Sequence, residues 1–244
     1  MPRHSTMRDS DGRSRPTRTR SRFMTGRTCW SLLGVQAIVA MLLAGCNILV
    51  PVSYIVQGPG TVDAVYDLPY EEIVVFVDDR SNILPRTNLR LRIADEVTEI
   101  LLADKLVPSA VNPRDTLAFA RSKETSNKVL SIDAIGEGVS ADVVLYIQMT
   151  GFELTYEGMP KPTATCRVKV IDVKNDTRLF PSPTSPPTGY PVMGQSPSVS
   201  PDLYNSLANR RQIEEALSLL LSSEIVDVFR KHERVDLGDN LRAP

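Results

Sequence analysis

Cysteines and histidines have the strongest nucleophilic and metal-binding chemistry in this chain, and both are scarce. There are three cysteines and two histidines in 244 residues. Neither His4 nor His232 is near Cys166 in sequence, so neither a thiolate–imidazole nucleophile nor a Cys/His metal site is predicted. Cys166 lies in an apolar-rich segment, where we expect a buried thiol that behaves as a small apolar residue. No Gly-x-Ser-x-Gly elbow is present, so the sequence does not predict an enzyme.

Two adjacent carboxylates, Asp78 and Asp79, follow an apolar run and form a second candidate for chemistry. Ligands of open α/β sheets bind beyond the carboxyl ends of strands, and carboxylate oxygens suit divalent cations. The pair therefore marks a candidate ligand or ion edge. The alternative, which the sequence favours, is a solvated pair that ends the strand, with Arg80 offsetting its charge. No cofactor is predicted.

The first 45 residues have the layout of a secretory signal. Eight arginines and only two aspartates lie in the first 27 residues, and an apolar stretch follows from Trp30 to Gly45. A helix that crosses a bilayer needs about 20 apolar residues, so this shorter stretch favours a signal peptide over a permanent anchor. Met1, Met7 and Met24 remain alternative starts.

The apolar stretch ends in Leu43, Ala44, Gly45 and Cys46, a sequence that resembles the lipobox of bacterial lipoproteins. The resemblance implies that residues 1–45 are removed and that Cys46 carries diacylglycerol. The alternative is a buried Ala-Gly-Cys at the end of an ordinary helix. Asn47 is not the aspartate associated with inner-membrane retention in enteric bacteria, so we expect a lipid anchor in the outer membrane, facing the periplasm.

The chain without residues 1–45 is acidic. The leader contains eight of the 28 basic and two of the 29 acidic residues, so 20 basic and 27 acidic residues remain, a net charge of −7. A nucleic-acid-binding domain usually needs a basic face, so that class of partner is not expected. Cys29 lies in the leader and Cys46 is the expected lipid site, so Cys166 has no intrachain disulfide partner.

Hydrophobic periodicity predicts an α/β (α+β) fold, a single domain with a mixed β-sheet packed by helices. We expect an extended tether at 46–70, the domain at 71–232 with a proline-rich surface insertion at 181–201, and a frayed tail at 233–244. The predicted strands are 73–77, 107–111, 143–149, 152–156 and 164–173, the last turning at Asn175-Asp176 into a hairpin with 179–180. The predicted helices are 89–106, a helix capped by Asn112-Pro113, a helical turn at 131–136 closed by glycine, and 211–232.

Three segments of this domain resemble periplasmic lipoproteins whose domain is like the amino-terminal domain of TolB, including the curli-export and Pel-export lipoproteins. These segments are Ile132–Gly136, Ala141–Leu145 and Val168–Val173. The resemblance implies a noncatalytic envelope component that assembles with itself or with an export apparatus.

Three functional hypotheses follow. The leading one is a membrane-anchored periplasmic lipoprotein acting as a noncatalytic assembly or binding component of the cell envelope, with a role auxiliary to export as its more specific form. The alternative is a solute- or glycan-binding lipoprotein with its ligand near Asp78 and Asp79. A lipid-anchored enzyme is the third.

Overall fold

The computed structural model describes residues 60–124, 129–155 and 158–233, which form a six-stranded mixed sheet with helices on both faces and a separate two-stranded sheet. The mixed α/β fold predicted from the sequence is confirmed. Strands β2 to β7 lie in the order β3-β2-β4-β5-β6, and β7 pairs with β5 alongside β6. The strands are β1 (Thr61–Val62), β2 (Ile73–Asp78), β3 (Ala110–Val111), β4 (Val143–Glu153), β5 (Thr163–Asp172), β6 (Thr177–Phe180), β7 (Tyr190–Gln195) and β8 (His232–Glu233). The helices are α1 (Thr87–Ala103), α2 (Pro113–Lys123), α3 (Ile132–Gly138) and α4 (Leu207–Asp227), with a 3₁₀ helix over Pro201–Asn205.

The centre of the sheet is parallel and buried on both faces. All six residues of β2 are buried, and β2 pairs in parallel with β3 and with β4. A continuous apolar run is typical of a strand that helices cover on both sides, which is what the sequence of β2 predicts.

Beyond β4 the sheet becomes antiparallel, and here one prediction was wrong. A separate strand was expected at 152–156, but Phe152 and Glu153 are the last residues of β4. The register with β5 shifts between Met149 and Gly151. A bulge of this kind lets one strand continue with its side chains switched between faces, so the change in the hydrophobic pattern did not mark a new strand.

The first face of the sheet packs against α1 and α4 and holds the main core. From α1, the buried side chains include Leu89, Ile93 and Leu101, and α4 contributes Leu221 and Ile225. The helix backbone comes very close to the sheet at β7, where a Cβ added to Gly194 would lie 3.1 Å from the backbone of Leu221.

The second face packs against α2 and α3 around a smaller core. Asn112 caps α2 as predicted, accepting a hydrogen bond from the backbone of Arg114 with Pro113 in the first turn. The expectation that Gly136 closes the next helical turn was wrong, because α3 continues to Gly138. A Cβ on Gly136 would lie 2.4 Å from Cγ2 of Val173, so this glycine allows close helix–sheet packing.

The proline-rich segment 181–201 is not a surface insertion throughout, because it includes β7. Pro191 and Met193 pair with Arg167 and Thr165 of β5. Since β5 is paired with β4 on its other side, β7 lies at the sheet edge, where proline is tolerated. The proline content led to the prediction of a loop, but part of this segment is the edge strand that completes the sheet.

Both ends of the described chain are more ordered than the sequence predicted. Part of the expected tether forms β1, which pairs with β8, so Glu233 of the predicted tail is in a strand. Tyr66 also packs on the main core, with its ring stacked 5.0 Å from that of Phe180. The last helix begins at Leu207 and ends at Asp227, a few residues before the predicted bounds.

Candidate functional site

The residues that carry the lipoprotein prediction, Leu43, Ala44, Gly45 and Cys46, lie outside the described residues. Cys166 is described, as a free thiol buried in the main core with 1% exposure. Burial raises the pKa of its thiol to about 12. A protonated, enclosed thiol is a poor nucleophile, so the prediction of a small apolar core residue is confirmed.

Asp78 is the last residue of β2. Its side chain lies on the second face of the sheet and is almost fully buried, at 4% exposure. Its Oδ1 accepts a hydrogen bond from the backbone N–H of Arg80 at 3.0 Å. Its Oδ2 accepts from Nη1 of Arg80 at 3.0 Å and from the hydroxyl of Tyr146. The favoured interpretation of a solvated pair therefore does not describe Asp78, whose oxygens are both occupied by protein donors.

Arg80 and Tyr146 hold this buried carboxylate in place. Arg80 spans two acids, because its Nη2 also donates to Oε1 of Glu124 at 2.7 Å. Burial raises the pKa of the Tyr146 hydroxyl, and the hydrogen bond to Asp78 raises it further. Tyr146 therefore remains a protonated donor across the neutral range, which a buried carboxylate requires.

Asp79 organises the loop that follows β2. Its Oδ1 accepts from the backbone N–H of Ile83 at 2.6 Å, and its Oδ2 accepts from that of Leu84 at 3.2 Å. The two neighbouring carboxylates thus point to different protein donors. A cation at this edge would compete with those donors, so the ligand or ion edge at Asp78 and Asp79 stays a prediction.

A row of cations and aromatic rings crosses the second face next to Asp78. Phe76, Tyr146 and Lys169 are directly paired neighbours on β2, β4 and β5. Arg90 lies 5.0 Å above the Phe76 ring centroid, and Nζ of Lys169 lies 5.7 Å from that of Tyr146. Both distances are within the range of cation–π attraction. Burial lowers the pKa of Arg90 and of Lys169, and Arg178 lowers that of Lys169 further.

Arg178 of β6 orders the proline-rich loop. Its guanidinium donates to four backbone carbonyl oxygens, those of Ser182, Pro183, Ser185 and Pro186, at 2.7 to 3.1 Å. Its buried Nε has no hydrogen-bond partner among the described residues. This cation is used to hold the chain that leads into β7.

The second face is covered on one side and open on the other. Helices α2 and α3 lie over β2 and the first half of β4, where Val144 and Tyr146 are buried. The outward side chains of the remaining strands are exposed or half-buried. They are Gln148 and Thr150 of β4, Thr165, Arg167 and Lys169 of β5, and Pro191 and Met193 of β7.

The sequence analysis missed this open surface and the role of Tyr146. A signal for it was present in β5, where Arg167 and Lys169 alternate with the buried Cys166, Val168 and Val170. Strict alternation is typical of a strand with one solvated face.

A second concave region lies where the two ends of the described chain meet, beside β1 and β8. It is an open groove of about 760 Å³. Lys231 pairs with Asp63 at 3.2 Å, and Arg230 pairs with Asp104 at 2.5 Å and with Asp227 at 2.7 Å. These ion pairs, with the short β1–β8 ladder, fasten the incoming chain to the end of α4. They give this groove a structural role.

Neither metal ligation nor membrane crossing is indicated within residues 60–124, 129–155 and 158–233. These ranges contain no group of three or more His, Cys, Asp or Glu side chains that could hold a metal ion. None of the helices that they form is long and apolar enough to span a bilayer.

No protein-family model matches the sequence, and no curated protein matches it. Solved structures with a similar arrangement include the PelC dodecamer from Paraburkholderia phytofirmans. Its sequence is 12% identical, the match covers 71% of this chain and 97% of the PelC chain, and the TM-score is 0.38. Lipoprotein GNA1162 from Neisseria meningitidis is 15% identical; the match covers 60% of this chain and 98% of that protein, with a TM-score of 0.36. The LpoB C-terminal domain from Salmonella enterica is 16% identical; the match covers 59% of this chain and 91% of that domain, with a TM-score of 0.28. All three TM-scores are below 0.5, so these likenesses carry no functional argument.

Proposed function

We propose that this protein is a lipoprotein of the bacterial cell envelope, anchored by a lipidated Cys46. A single observation carries the proposal: an arginine-rich arm, an apolar stretch and Leu43-Ala44-Gly45-Cys46 occur in that order. Each feature alone is common, but together they match the signal that directs export, cleavage and lipid attachment. Asn47 supports the outer membrane, facing the periplasm, as the location.

The proposed organisation separates a removed signal, a tether and one folded domain. Residues 1–45 are the signal peptide, and Cys46 begins the mature chain. Since β1 begins at Thr61 and packs with β8, the tether proper ends near Gly60, earlier than the sequence pattern suggested. The proposed folded domain, expected at 71–232, is therefore extended to 61–233, with β1 and β8 closing it.

We further propose that the domain is a noncatalytic assembly or binding module. The proposal is supported by the fact that the reactive side chains are engaged within the fold. Cys166 is buried, both carboxylate oxygens of Asp78 accept hydrogen bonds, and Arg178 donates to carbonyl oxygens of a loop. The pattern in common with TolB-like domains of export lipoproteins favours a role auxiliary to export. Direct support for that more specific role rests on the sequence resemblance alone.

Mass spectrometry of protein recovered from a membrane fraction tests the proposal. Wild type should yield a mature chain that starts at acylated Cys46, and Cys46→Ala should yield none. The matched control is Cys29→Ala, which changes a cysteine of the leader and should leave the mature product unchanged. An intact, unacylated amino terminus in the wild type would contradict the lipoprotein function.

The alternative of a solute- or glycan-binding lipoprotein needs a ligand at the edge near Asp78 and Asp79. Thermal-shift screening against divalent ions and sugars tests it, because a ligand that binds only the native state raises the unfolding midpoint. A midpoint that rises in the wild type and not in Asp79→Asn would support this alternative. No described contact favours it over the assembly module.

A further inference from the structure

Two oppositely charged surfaces lie on different parts of the same sheet. The basic face is the open part of the second face, with Arg167 and Lys169 as its cations. The acidic edge is the amino end of the parallel strands, with Glu71 and Glu72 before β2 and Asp142 before β4. Glu137, near the end of α3, is also exposed close to that edge.

The basic face combines cations that have no carboxylate partner with a half-exposed apolar side chain. Its cations are not within salt-bridge distance of any carboxylate in the part of the chain that is described. The buried Asp78 is already engaged by Arg80 and Tyr146. Met193, half exposed at 50%, adds an apolar contact beside the cations. Arginine and methionine are enriched at protein interfaces relative to other surfaces.

The surroundings of Lys169 favour an incoming anion. Burial and the neighbouring Arg178 both lower its pKa, so its charged form is less stable than that of a fully solvated lysine. A carboxylate placed beside it would reverse that effect, because an opposite charge favours the ionised amine.

The acidic edge carries a concentration of negative charge. Glu71, Glu137 and Asp142 are exposed and Glu72 is half-buried. None of them is in an ion pair within the described ranges. Lys174 is the neighbouring cation, on the turn that follows β5, and it leaves the edge acidic overall.

The two surfaces cannot meet within one copy. Asp142 immediately precedes β4, whereas Lys169 pairs with Tyr146 and Arg167 with Gln148, four and six residues further along that strand. At about 3.3 Å per residue, the two cations lie about 13 to 20 Å from Asp142 along the strand, too far for a direct ion pair. Contact between them therefore requires a second molecule.

We propose that the basic face of one copy binds the acidic edge of a second copy of this chain, in a head-to-tail contact. The inference rests on the proposed function and gives the assembly module its partner. Because two different surfaces meet, the contact is heterologous, and each copy keeps one surface for a further copy.

Charge reversal tests the contact in the full chain, purified in detergent from membranes. One variant reverses the face, Arg167→Glu with Lys169→Glu, and a second reverses the edge, Glu71→Lys with Asp142→Lys. The matched control, Arg210→Glu with Arg211→Glu, makes the same charge change as the face variant at exposed sites of α4, which covers the other face of the sheet. Circular dichroism and thermal melting establish that each variant is folded.

Sedimentation velocity at low salt gives the result. We expect wild type and control to self-associate, and each reversed variant to lose association by about tenfold or more. An equimolar mixture of the two reversed variants should associate again, since each then meets an oppositely charged surface. Added salt should weaken every one of these complexes.

Two outcomes would overturn the inference. One is a wild type that stays monomeric, or reversed variants that associate as the control does. The other is a photo-crosslinker at Thr165 that captures, in cells, an acidic protein other than this chain. Mass spectrometry of Cys46 on the same samples keeps the two proposals apart: acylated but monomeric protein contradicts only the head-to-tail contact, whereas missing acylation contradicts the lipoprotein function.

Discussion

The two faces of the sheet are built by different means. The first face is closed by two long helices over a continuous apolar core, with Ile93, Leu145 and Leu221 fully buried. The second face has shorter helices, a small core and a charged, partly open surface. The same strands supply both, because successive side chains of a strand point to opposite faces.

The two faces therefore contribute to different properties: the first face to the stability of the fold, and the second face to interaction with a partner. Apolar burial on the first face contributes free energy of folding without specifying any partner. The second face contains the cations Arg167 and Lys169, which have no carboxylate partner among the described residues and are the groups available to bind a partner. Substitutions on each face test this division, because those on the first face should lower stability more than those on the open part of the second face.

The largest loss of stability is expected from Leu221→Ala, on the first face. Leu221 is fully buried where α4 lies close to β7. Its truncation should lower the free energy of unfolding by about 3 kcal/mol, through lost burial and the cavity left behind. Urea denaturation measures the change. Leu207→Ala, on the same helix at 72% exposure, should change stability little, and equal losses for the two variants would refute the assignment.

An intermediate loss is expected from Tyr146→Phe, on the covered part of the second face. It removes the hydroxyl donor to the buried Oδ2 of Asp78, while Arg80 still donates to that atom. We expect a loss of about 1–2 kcal/mol in the free energy of unfolding. Tyr70→Phe, at a position 69% exposed, is the control and should be neutral. A neutral Tyr146→Phe would mean that the hydroxyl contributes nothing to holding Asp78.

A smaller and more local effect is expected from Arg178→Ala. The variant removes the donors to the carbonyls of 182–186, so the loop before β7 should open more often. Hydrogen exchange should speed up in that loop, with a loss of about 1 kcal/mol in overall stability. Lys174→Ala, on an exposed turn, is the matched control. Unchanged exchange in the loop would show that the prolines alone fix its conformation.

The smallest effect is expected from Arg167→Gln, on the open surface. Its one described hydrogen bond is a long one, from Nη1 to the carbonyl of Gly189 at 3.4 Å. The free energy of unfolding should therefore change by less than about 0.5 kcal/mol. A loss as large as that of Tyr146→Phe would place Arg167 in the framework of the fold and remove the distinction between the two parts of the second face.

Much of the fold was predictable because its elements follow clear hydrophobic periods. The apolar run of β2, the amphipathic pattern of α1 and the Asn112-Pro113 cap each predicted the element observed. The errors came where packing overrode a local signal. The bulge after Met149 continued β4, and a sheet edge accepted the proline-rich β7.

The candidate site was predictable only in part. Asp78 and Asp79 were identified by their position at the end of a strand, and Arg80 as the cation that offsets their charge, but the partners Tyr146, Ile83 and Leu84 were not. Tyr146 is 68 residues from Asp78 in sequence, so its hydrogen bond depends on the parallel pairing of β2 with β4. No local pattern reports a contact of that range.

The sequence by itself determined the class of elements and the export and lipidation signal proposed for this protein, since both depend on short-range order. Helical and strand periods repeat within a few residues, and the Leu43–Cys46 sequence is contiguous. Only the tertiary structure decided that Asp78 is enclosed and that Arg167 and Lys169 remain open. Whether a charged side chain is buried or exposed depends on which helix covers it, and that is settled by the packing of residues far apart in the chain.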